Sequence, residues 1–427
     1  MSSVGFMEKL LDGVAVEWKA LGEVTLSTSN IKWRDTDRTY RYIDLTSVSV
    51  ETKKIADTRE ITFSNAPSRA QKLVEKNDVI FATTRPAQQR YCLIDDDYAG
   101  EVASTGYCVL RAKDDEVLPK WILYWIASTE FKKYVEENQS GSAYPAISDA
   151  KIKEFRIPIP CPESQNKSLE IQTEIARILD AFTELTAELT AELTAELTAR
   201  KKQYKHYRDK LLSFEDGNVE WKALSEMGEF IRGKRFTKAD YAEDGISVIH
   251  YGEIYTRYGV YTDHTFSQVR SDLADSLRYA EPGDVVMAGV GETVEDVGKA
   301  VAWVGQGKVA IHDDSYAFRH SMNPKYISYV MQTAAFIDEK AKHVSRGKVN
   351  RLLINGIEKV RIPVPFPDDR EKSLAEQERI VAILDKFDAL THSISEGLPR
   401  EIELRKKQYE HYRDLLLSFP KPEDVGA

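Results

Sequence analysis

Residues Thr186–Leu197 read TAELTAELTAEL, three identical copies of one tetrapeptide, and a truncated copy, Thr183-Glu184-Leu185, precedes them. Most of these residue types favour an α-helix, and neither Gly nor Pro interrupts the run. The surrounding pattern predicts one helix from about Ser168 to Ser213, which would be roughly 69 Å long. We call Thr186–Leu197 the spacer.

Each TAEL unit has a defined geometric effect on such a helix. Four residues add roughly 6 Å of length and turn the helix by about 400°, a net rotation of about 40°. The leucine stripe therefore moves around the helix and does not form one straight packing seam; it consists of Leu185, Leu189, Leu193 and Leu197. We expect the spacer to set a length. The alternative is a solvated linker helix without a metric role.

The chain contains an internal repeat. Val16–Val24, VEWKALGEV, returns at Val219–Met227 as VEWKALSEM, with seven of nine residues identical. Two further segments return at an offset of 205 residues: RIPIPCPESQNKSLEIQTEIARILDAF at 156–182, and RKKQYKHYRDKLLSF at 200–214. Each half thus holds a globular stretch, an extended Pro-rich exit and a long helix. The two halves should form a pseudo-twofold molecule.

The globular stretches between these repeats differ in sequence. In residues 25–150 and 228–355 the predicted elements occur at matching positions, but few residues are identical. Both stretches mix helices with strand-like runs. The strand-like runs are Tyr40–Leu45, Gln71–Thr83, Tyr107–Arg111, Ser247–His250, Asp284–Ala288 and Val301–Val304. The frame predicts an α+β protein with two mixed α/β lobes, and the 3-and-4 spacing of apolar residues predicts that the long helices pack on each other. Two unlike lobes indicate two binding surfaces, although duplication followed by neutral drift would look similar.

Four segments follow from this frame. They are a first lobe at 1–163, a central helix with the TAEL units at 164–215, a second lobe at 216–367 and a C-terminal helical region at 368–427. The second long helix contains Gly397 and Pro399. We therefore expect a kink or a restart there, with Pro399 near a helix N-terminus.

The composition is ordinary for a soluble globular protein, with 42% hydrophobic and 30% charged residues. Neither a secretion signal nor a run of 18 apolar residues is present, and the three cysteines fit a reducing compartment, so we expect a cytoplasmic protein. The net charge is −10. Because phosphate neutralisation drives DNA affinity, this charge argues either against DNA binding or for local basic faces inside a larger assembly.

No catalytic, cofactor-binding or metal-binding constellation emerges from the sequence. A GxxxxGK(S/T) phosphate loop is missing, and Gly289-x-Gly291 lacks the rest of a dinucleotide fingerprint. The segment Asn323-Pro324-Lys325-Tyr326 is a weak match to the NPPY motif of amino-methyltransferases, and it coincides with a predicted helix start. His312-Asp313-Asp314 could hold a metal, but adjacent residues on a turn are more often solvated. We expect a recognition protein without chemistry of its own.

The repeated segments together resemble one known family. The TAEL units between two divergent lobes, the RIPIP and RIPVP exits, the RKKQY-HYRD-LLSF helix ends and the EGLPREIELRKKQY tail are similar to the specificity subunit of type I restriction–modification enzymes. The similarity is to the type IC-like branch, which carries TAEL spacers. The repeated frame covers about half of the chain, whereas the lobes match only in layout.

The resemblance implies a role in bacterial defence and a set of partners. Each lobe would be a target-recognition domain that reads one half of a bipartite double-stranded DNA target. The two long helices would form an antiparallel coiled-coil spacer between the lobes and would set the unspecified gap. The helices would also receive two modification subunits, which methylate adenine N6 with S-adenosylmethionine, and through them restriction subunits that use ATP and Mg²⁺. This chain itself would hold no cofactor.

Base reading requires polar or cationic side chains on loops. In the first lobe these are Thr84, Arg85, Gln88, Gln89 and Arg90 after a predicted strand, and Ser140, Ser142 and Tyr144 before the Pro-rich exit. In the second lobe they are Arg232, Lys234 and Arg235; Tyr255 and Arg257; and Ser345, Arg346, Lys348, Asn350 and Arg351. The last group occupies the position equivalent to Ser140 and is the strongest candidate, since two half-sites require two different loops. Each group could instead be an ordinary solvated loop.

Two other classes of function stay open at this point. One is an assembly scaffold whose lobes bind proteins, which would show no sequence-dependent DNA binding even with methyltransferase partners. The other is a self-sufficient DNA methyltransferase or nuclease, which would need a cofactor motif that the sequence lacks.

Overall fold

The computed structural model describes residues 14–214 and 218–421, apart from the side chains of residues 392 and 394–396. The chain forms two compact units. One runs to Leu193 and includes the chain from Arg400 onward, and the other spans Thr194–Pro399. The first unit contains the first lobe and the second unit contains the second lobe. The boundaries of the four segments named above stay predictions.

The first lobe is built on two sheets. Its described strands are β1 Val16–Ala20, β2 Thr25–Leu26, β3 Tyr40–Ile43, β4 Arg59–Ile61, β5 Ala70–Leu73, β6 Val79–Ala82, β7 Tyr91–Leu93, β8 Val102–Ser104, β9 Tyr107–Ala112 and β10 Arg156–Pro160. One sheet has the strand order β2-β9-β6-β7 and the other β4-β3-β8-β5. The helices are α1 Pro119–Ala127, α2 Thr129–Asn138 and α3 Asp149–Lys153. All residues of β6 are buried, because both faces of this strand are covered: Val79 and Phe81 pack in one hydrophobic cluster, and Ile80 and Ala82 pack in another.

The second lobe repeats this plan with additional strands. Its described strands are β11 Val219–Ala223, β12 Gly228–Arg232, β13 Tyr241–Ala242, β14 Ile246–Ile249, β15 Tyr261–Thr262, β16 Ser267–Val269, β17 Tyr279–Ala280, β18 Val285–Ala288, β19 Val290–Gly291, β20 Ala300–Trp303, β21 Val309–Ile311, β22 Ser315–His320, β23 Asn350–Arg351 and β24 Arg361–Pro365. The larger sheets have the orders β12-β22-β18-β20-β15 and β13-β16-β14-β21-β17. The short helices are α5 Tyr251–Thr256, α6 Pro324–Val330, α7 Ala334–Ala341 and α8 Ile354–Ile357.

The two lobes share one topology despite their different sequences. The order β9-β6-β7 corresponds to β22-β18-β20, and the parallel pair β3–β8 corresponds to β14–β21. A buried aspartate precedes each central strand and binds an arginine on the neighbouring strand. Asp78 Oδ2 lies 2.8 Å from an Arg111 Nη, and Asp284 Oδ2 lies 2.9 Å from an Arg319 Nη. The predicted match in layout is confirmed.

One strand prediction was wrong. The run Gln71–Thr83 is not a single strand, because a turn separates β5 from β6. Asn77 has a φ of +70°, and the Asp78 carboxylate accepts a hydrogen bond from the Glu75 amide at 2.7 Å. Asn tolerates the left-handed region better than other non-glycine residues, and Asp side chains stabilise such turns.

The Pro-rich exits are extended, as predicted, and each forms a strand that closes its lobe. β10 pairs antiparallel with β1, which places Trp18 opposite Pro158. β24 pairs in the same way with β11, which places Trp221 opposite Pro363. Both pairs are two-stranded ribbons. Proline has no backbone N–H to donate. It is tolerated in these ribbons because its nitrogen can face the open edge, where no partner strand requires a donor.

The spacer lies within α4, Gln165–Leu211, an uninterrupted helix of 47 residues. The helical prediction is confirmed. Leu185 is exposed, the next three leucines of the stripe are half-buried, and no spacer residue is buried. Threonine hydroxyls donate to carbonyls one turn back, from Thr186 to Phe182 at 2.7 Å and from Thr198 to Thr194 at 2.9 Å. The spacer is therefore held by its own hydrogen bonds and not by a packed core.

The second long helix, α9, spans Arg370–Leu416 and also has 47 residues. It continues through Gly397 and Pro399, so the predicted restart with Pro399 near a helix N-terminus was wrong, and the predicted kink stays a prediction. Proline removes one intrahelical donor and clashes with the carbonyl four residues back, at a cost of about 3 kcal/mol. The long helical segments on either side, each of which packs on a lobe, offset this local cost.

Equivalent polar contacts lock each long helix to a lobe. In the first unit, the Asp180 carboxylate of α4 accepts hydrogen bonds from Lys120 Nζ and the Tyr124 hydroxyl, both at 2.6 Å. In the second unit, Asp385 of α9 binds the matching pair, Lys325 at 2.9 Å and Tyr329 at 2.8 Å. Two further types of contact occur once in each unit, and in all of them a side-chain oxygen of a long helix accepts a hydrogen bond from a backbone amide of a lobe. The acceptors and donors are Gln172 and Leu118, Gln377 and Asn323, Asp414 and Thr129, and Asp209 and Ala334.

The two helices also contact each other in each unit. In the first unit, the rings of Phe182 and Tyr412 lie 5.9 Å apart. In the second unit, Tyr207 stacks on Phe387 at 5.8 Å. Later residues of α4 meet earlier residues of α9, so the pairing is antiparallel. The predicted fold class is confirmed. In the described part of the chain, no helix is long and apolar enough to cross a membrane.

The helix-breaking residues of α9 generate a prediction. Pro399→Ala supplies the missing helical donor and removes the ring clash, so it should stabilise α9 against local unfolding by up to about 3 kcal/mol. Gly397→Ala should add about 1 kcal/mol, because a Cβ at Gly397 meets no atom within 4 Å. Hydrogen exchange of the α9 amides measures both effects. Unchanged protection near Pro399 would contradict the expectation, and Ala375→Gly in the same helix serves as the opposite-sign control.

Candidate nucleic-acid interface

The first candidate loop, residues 83–90, connects β6 to β7 in the first lobe. The Thr83 hydroxyl and amide both donate to the Gly106 carbonyl, at 2.9 and 2.8 Å, which fixes where the loop leaves the sheet. Arg85 and Gln89 have φ values of +50° and +51°. Non-glycine residues in this region are strained, and such strain is found mainly where the surroundings impose a functional geometry.

The structure brings the two candidate groups of the first lobe together. Thr84 forms an antiparallel bridge with Ala146, and Ser140 and Ala146 exchange backbone hydrogen bonds of 2.9 and 2.8 Å. The Arg85 guanidinium lies 5.3 Å from the Tyr144 ring centroid, and Tyr144 is 72% exposed. Loops 83–90 and 140–146 thus form one continuous polar surface, which the sequence showed only as two separate clusters.

The residues on this surface differ in exposure and in whether their polar atoms already form hydrogen bonds within the lobe. Arg85, Gln88, Ser140, Ser142 and Tyr144 are exposed. Gln89 donates to the Pro86 carbonyl at 3.3 Å, and Arg90 donates to the Val48 carbonyl. Arg90 therefore anchors the loop to the chain at Val48, and its contact with DNA stays a prediction.

A lysine outside the candidate set supports the same loop. Lys53 Nζ donates to the Gln89 carbonyl and lies 4.4 Å from the Tyr91 ring centroid. Burial, together with the nearby Arg90 charge, lowers the pKa of Lys53 to about 8.

In the second lobe, the strongest candidate group forms a loop of the same shape. Ser345 and Arg351 exchange backbone hydrogen bonds of 2.8 and 3.0 Å, as Ser140 and Ala146 do 205 positions earlier. β23 then pairs with β19, directly after the central strand β18. Ser345, Arg346, Lys348 and Arg351 are exposed, whereas Asn350 is half-buried and its amide donates to the Glu292 carbonyl at 2.8 Å.

The basic segment 232–235 borders a polar cleft. Arg232, Arg235 and Arg351 line it together with the His312-Asp313-Asp314 turn. Arg232 Nε donates to the Asp313 carbonyl at 2.9 Å, and an Arg351 Nη lies 3.3 Å from Asp314 Oδ1. Lys234 is exposed, and its amide donates to the Ile311 carbonyl at 3.0 Å. The cleft thus holds three cationic side chains around one acidic turn.

The His312-Asp313-Asp314 turn also has the composition of a cation site, since its ligand atoms lie within 4.8 Å of one another. These atoms already have partners. His312 Nε2 lies 3.2 Å from the Phe236 carbonyl, and its Nδ1 accepts the Asp314 amide at 3.2 Å. The turn therefore stabilises the base of the basic segment.

The remaining candidates, Tyr255 and Arg257, lie at the end of α5. The Arg257 guanidinium is exposed and lies 5.3 Å from the Phe266 ring centroid. Tyr255 is half-buried, and burial raises the pKa of its phenol to about 12.

Sequence reasoning missed one loop of the second lobe. Residues 289–299 connect β18 to β20, as residues 83–90 connect β6 to β7. The parallel between the strands Asp78–Ala82 and Asp284–Ala288 was visible in the sequence and marks the start of both loops. The weak methyltransferase motif is a helix start, because Asn323 Oδ1 caps the Lys325 and Tyr326 amides of α6 at 3.0 and 3.2 Å.

Comparison with known proteins agrees with this architecture. A family model described as "Type I restriction modification DNA specificity domain" matches residues 16–199 and 217–404. The specificity subunit of the Escherichia coli type I restriction enzyme EcoR124I/EcoR124II is 36% identical over 431 residues, which cover 100% of both chains. The EcoprrI specificity subunit, also from E. coli, is 29% identical over 406 residues, 93% of each chain.

Solved structures show the same fold. A chain from a structure named "Structural basis underlying complex assembly and conformational transition of the type I R-M system" has a TM-score of 0.75 at 22% identity, over 94% of this chain and 97% of that chain. The HsdS subunit of Thermoanaerobacter tengcongensis has a TM-score of 0.54 at 22% identity, and the match covers 94% of this chain and 96% of that chain. This chain therefore belongs to the family of DNA specificity subunits of type I restriction–modification systems, which are non-catalytic members of their complexes.

Proposed function

We propose that each lobe of this DNA-recognition subunit reads one half of a bipartite target, and that the long helices set the gap between the halves. The observation that carries the proposal is the pair of equivalent loops, 140–146 and 345–351. Both are closed by the same backbone bridge 205 residues apart, yet they carry different side chains. A duplicated scaffold with unlike loops suits a target whose halves differ in sequence.

The exposed side chains suit base reading. In the first lobe, Arg85 and Gln88 can offer bidentate contacts to guanine and adenine, and Tyr144 offers an aromatic face. In the second lobe, Arg346, Lys348 and Arg351 provide cationic donors for guanine or phosphate.

The helical frame suits assembly with other subunits of a type I complex. Tyr207 and Tyr412 occupy equivalent positions on α4 and α9, and they are 45% and 40% exposed. Two matching surfaces favour two copies of one partner, which we propose to be modification subunits that use S-adenosylmethionine. Restriction subunits that use ATP and Mg²⁺ would join through them. The cofactors would then belong to the partners.

The spacer geometry supports a role in gap length. One TAEL unit turns the helix by about 40°, close to the roughly 34° between neighbouring base pairs of B-DNA. Its axial length of roughly 6 Å exceeds the 3.4 Å base-pair rise, so tilt or DNA bending would absorb the difference.

Genome-wide mapping of N6-methyladenine tests the central proposal. The full chain is expressed with its modification subunit in a host that lacks other adenine methyltransferases. A methylated motif with two specified halves and an unspecified gap is expected. Methylation without a bipartite motif would contradict the proposal. Normal assembly without any sequence-dependent methylation would favour the assembly scaffold.

Deletion of one TAEL unit provides a second prediction. Removing Thr190–Leu193 should shorten the preferred gap by about one base pair, because it removes about 40° of rotation. Both half-sites should stay the same, since neither lobe changes. Methylation mapping measures the gap directly. Glu188→Gln with Glu192→Gln, which changes spacer charge but not length, is the control and should keep the gap. An unaltered gap in the deletion variant would refute the metric role.

The acidic net charge generates a third prediction. At physiological salt, the isolated chain should bind its target with a Kd no tighter than about 10⁻⁶ M, the range of non-specific binding. Addition of modification subunits should bring the Kd to about 10⁻⁸ M or below. Fluorescence anisotropy with a cognate duplex and a duplex of altered half-sites measures both values. Tight, specific binding by the isolated chain would contradict the expectation that the modification subunits supply much of the DNA affinity.

A further inference from the structure

Loop 289–299 occupies the same topological position as the first lobe's loop 83–90. Each leaves the buried central strand of its sheet and returns as the strand beside it. Each is also bridged to the loop that precedes the Pro-rich exit, through Thr84 and Ala146 in the first lobe and through Val290 and Arg351 in the second. The two loops therefore belong to corresponding surfaces.

A buried lysine lies directly beneath loop 289–299. Lys340 of α7 is 1% exposed, and its Nζ donates to the Glu295 carbonyl at 2.8 Å and to the Val297 carbonyl. The position 205 residues earlier is Val135, which is fully buried in α2. A lysine in place of a core valine is costly unless its ammonium is satisfied, and here loop carbonyls satisfy it.

In the first lobe, a lysine from a different part of the fold also donates to a carbonyl of the corresponding loop. Lys53 donates to the Gln89 carbonyl of loop 83–90. Burial lowers the pKa values of both Lys53 and Lys340 to about 8. In each lobe a desolvated lysine thus fixes the backbone of the loop that follows the central strand.

The backbone of loop 289–299 is also fixed at its other end. Asn350 Nδ2 donates to the Glu292 carbonyl at 2.8 Å, and the Thr293 hydroxyl donates to Asp296 at 2.7 Å. Glu292 and Glu295 are exposed. Among the described side chains, neither carboxylate forms a hydrogen bond or an ion pair, although the Glu295 charge raises the pKa of Lys340 and so partly offsets the effect of burial.

We propose that loop 289–299 is a base-contacting loop of the second lobe and that Lys340 is the positioning residue that holds it. This inference rests on the proposed function. The loop's exposed carboxylates can only accept hydrogen bonds, and the donors on the major-groove edge of DNA are the amino groups of cytosine and adenine. Phosphates would repel them. Glu292 and Glu295 therefore select amino-bearing bases, whereas Arg85 and Gln88 of the first lobe can pair with guanine and adenine.

The test uses the full chain with its modification subunit and methylation mapping. Glu292→Gln and Glu295→Gln keep the size of each side chain but replace one acceptor by a donor. At least one of them should relax a base preference in one half-site by about 5-fold to 150-fold, the range of a single base contact. The other half-site and the gap should not change. Glu243→Gln, an exposed glutamate of the same lobe outside the loop, is the matched control.

Lys340→Met separates positioning from simple stabilisation. If Lys340 positions the loop, the variant should relax the same positions as the glutamate variants. If it only stabilises the fold, methylation should fall equally at all sites with the base preference kept, and that result would overturn the assigned role. Thermal unfolding of each variant identifies loss of folded protein. Glu292→Gln tests the loop independently of Lys340, whereas Glu295→Gln also removes a charge that interacts with the Lys340 ammonium.

Arg85→Ala identifies the half-site read by the first lobe and should alter the half that the loop 289–299 variants leave intact. A bipartite wild-type motif whose halves both ignore the loop variants would overturn this inference while leaving the proposed function in place. A wild type that methylates no bipartite motif would overturn the proposed function itself.

Discussion

Backbone continuity of α4 is the constraint on which the organisation of this protein depends. Every amide of the spacer bonds to a carbonyl four residues earlier, so residues can be added or removed only with a linked change in length and rotation. A tetrapeptide exceeds one turn by a fraction of a residue, and each copy therefore changes phase in a small, constant step. The equivalent part of α9 lacks this repeat and has Pro399 where α4 has Thr194. Only α4 therefore carries the tetrapeptide repeat on which the proposed control of gap length rests.

The repeated polar contacts explain why one frame can carry different lobes. Asp180 and Asp385 each hold a lysine and a tyrosine, and Gln172 and Gln377 each cap the backbone before a helix. Gln172 and Gln377 are buried, so losing either partner there would leave an unsatisfied polar atom at substantial cost, whereas the exposed Lys120–Asp180 ion pair contributes little. Such pairs constrain the positions where helix meets lobe and nowhere else. In the described part of the chain, the exposed side chains of loops 83–90 and 289–299 form no such pair with the long helices, so they can change without disturbing the frame.

Sequence alone gave the helices, the duplication and the lobes' common layout, because these depend on local propensity and repeated letters. Sequence-based prediction failed where tertiary packing outweighed a local signal, or where no local signal existed. Pro399 does not end α9, since the helix is held on both sides of it, and Asn77 breaks a run that composition alone made continuous. The meeting of loops 83–90 and 140–146 depends on pairing over some 60 residues, which no local pattern records. Loop 289–299 escaped notice because a search for cationic and amide side chains passes over glutamates.

The lysines beneath the loops show how a variable surface can remain rigid. An ammonium that donates to backbone carbonyls fixes the course of a loop through its main chain. A side chain that does not interact with the ammonium, such as Glu292, can therefore change without loss of this anchor, whereas Glu295 interacts with Lys340 through its charge. A carboxylate partner on the loop would tie one recognition position to the anchor. Lys53 and Lys340 come from different elements, and Val135 stands where Lys340 would be expected by duplication. The anchor was therefore not simply copied with the frame. Each lobe holds its own loop, which suits two readers whose specificities differ.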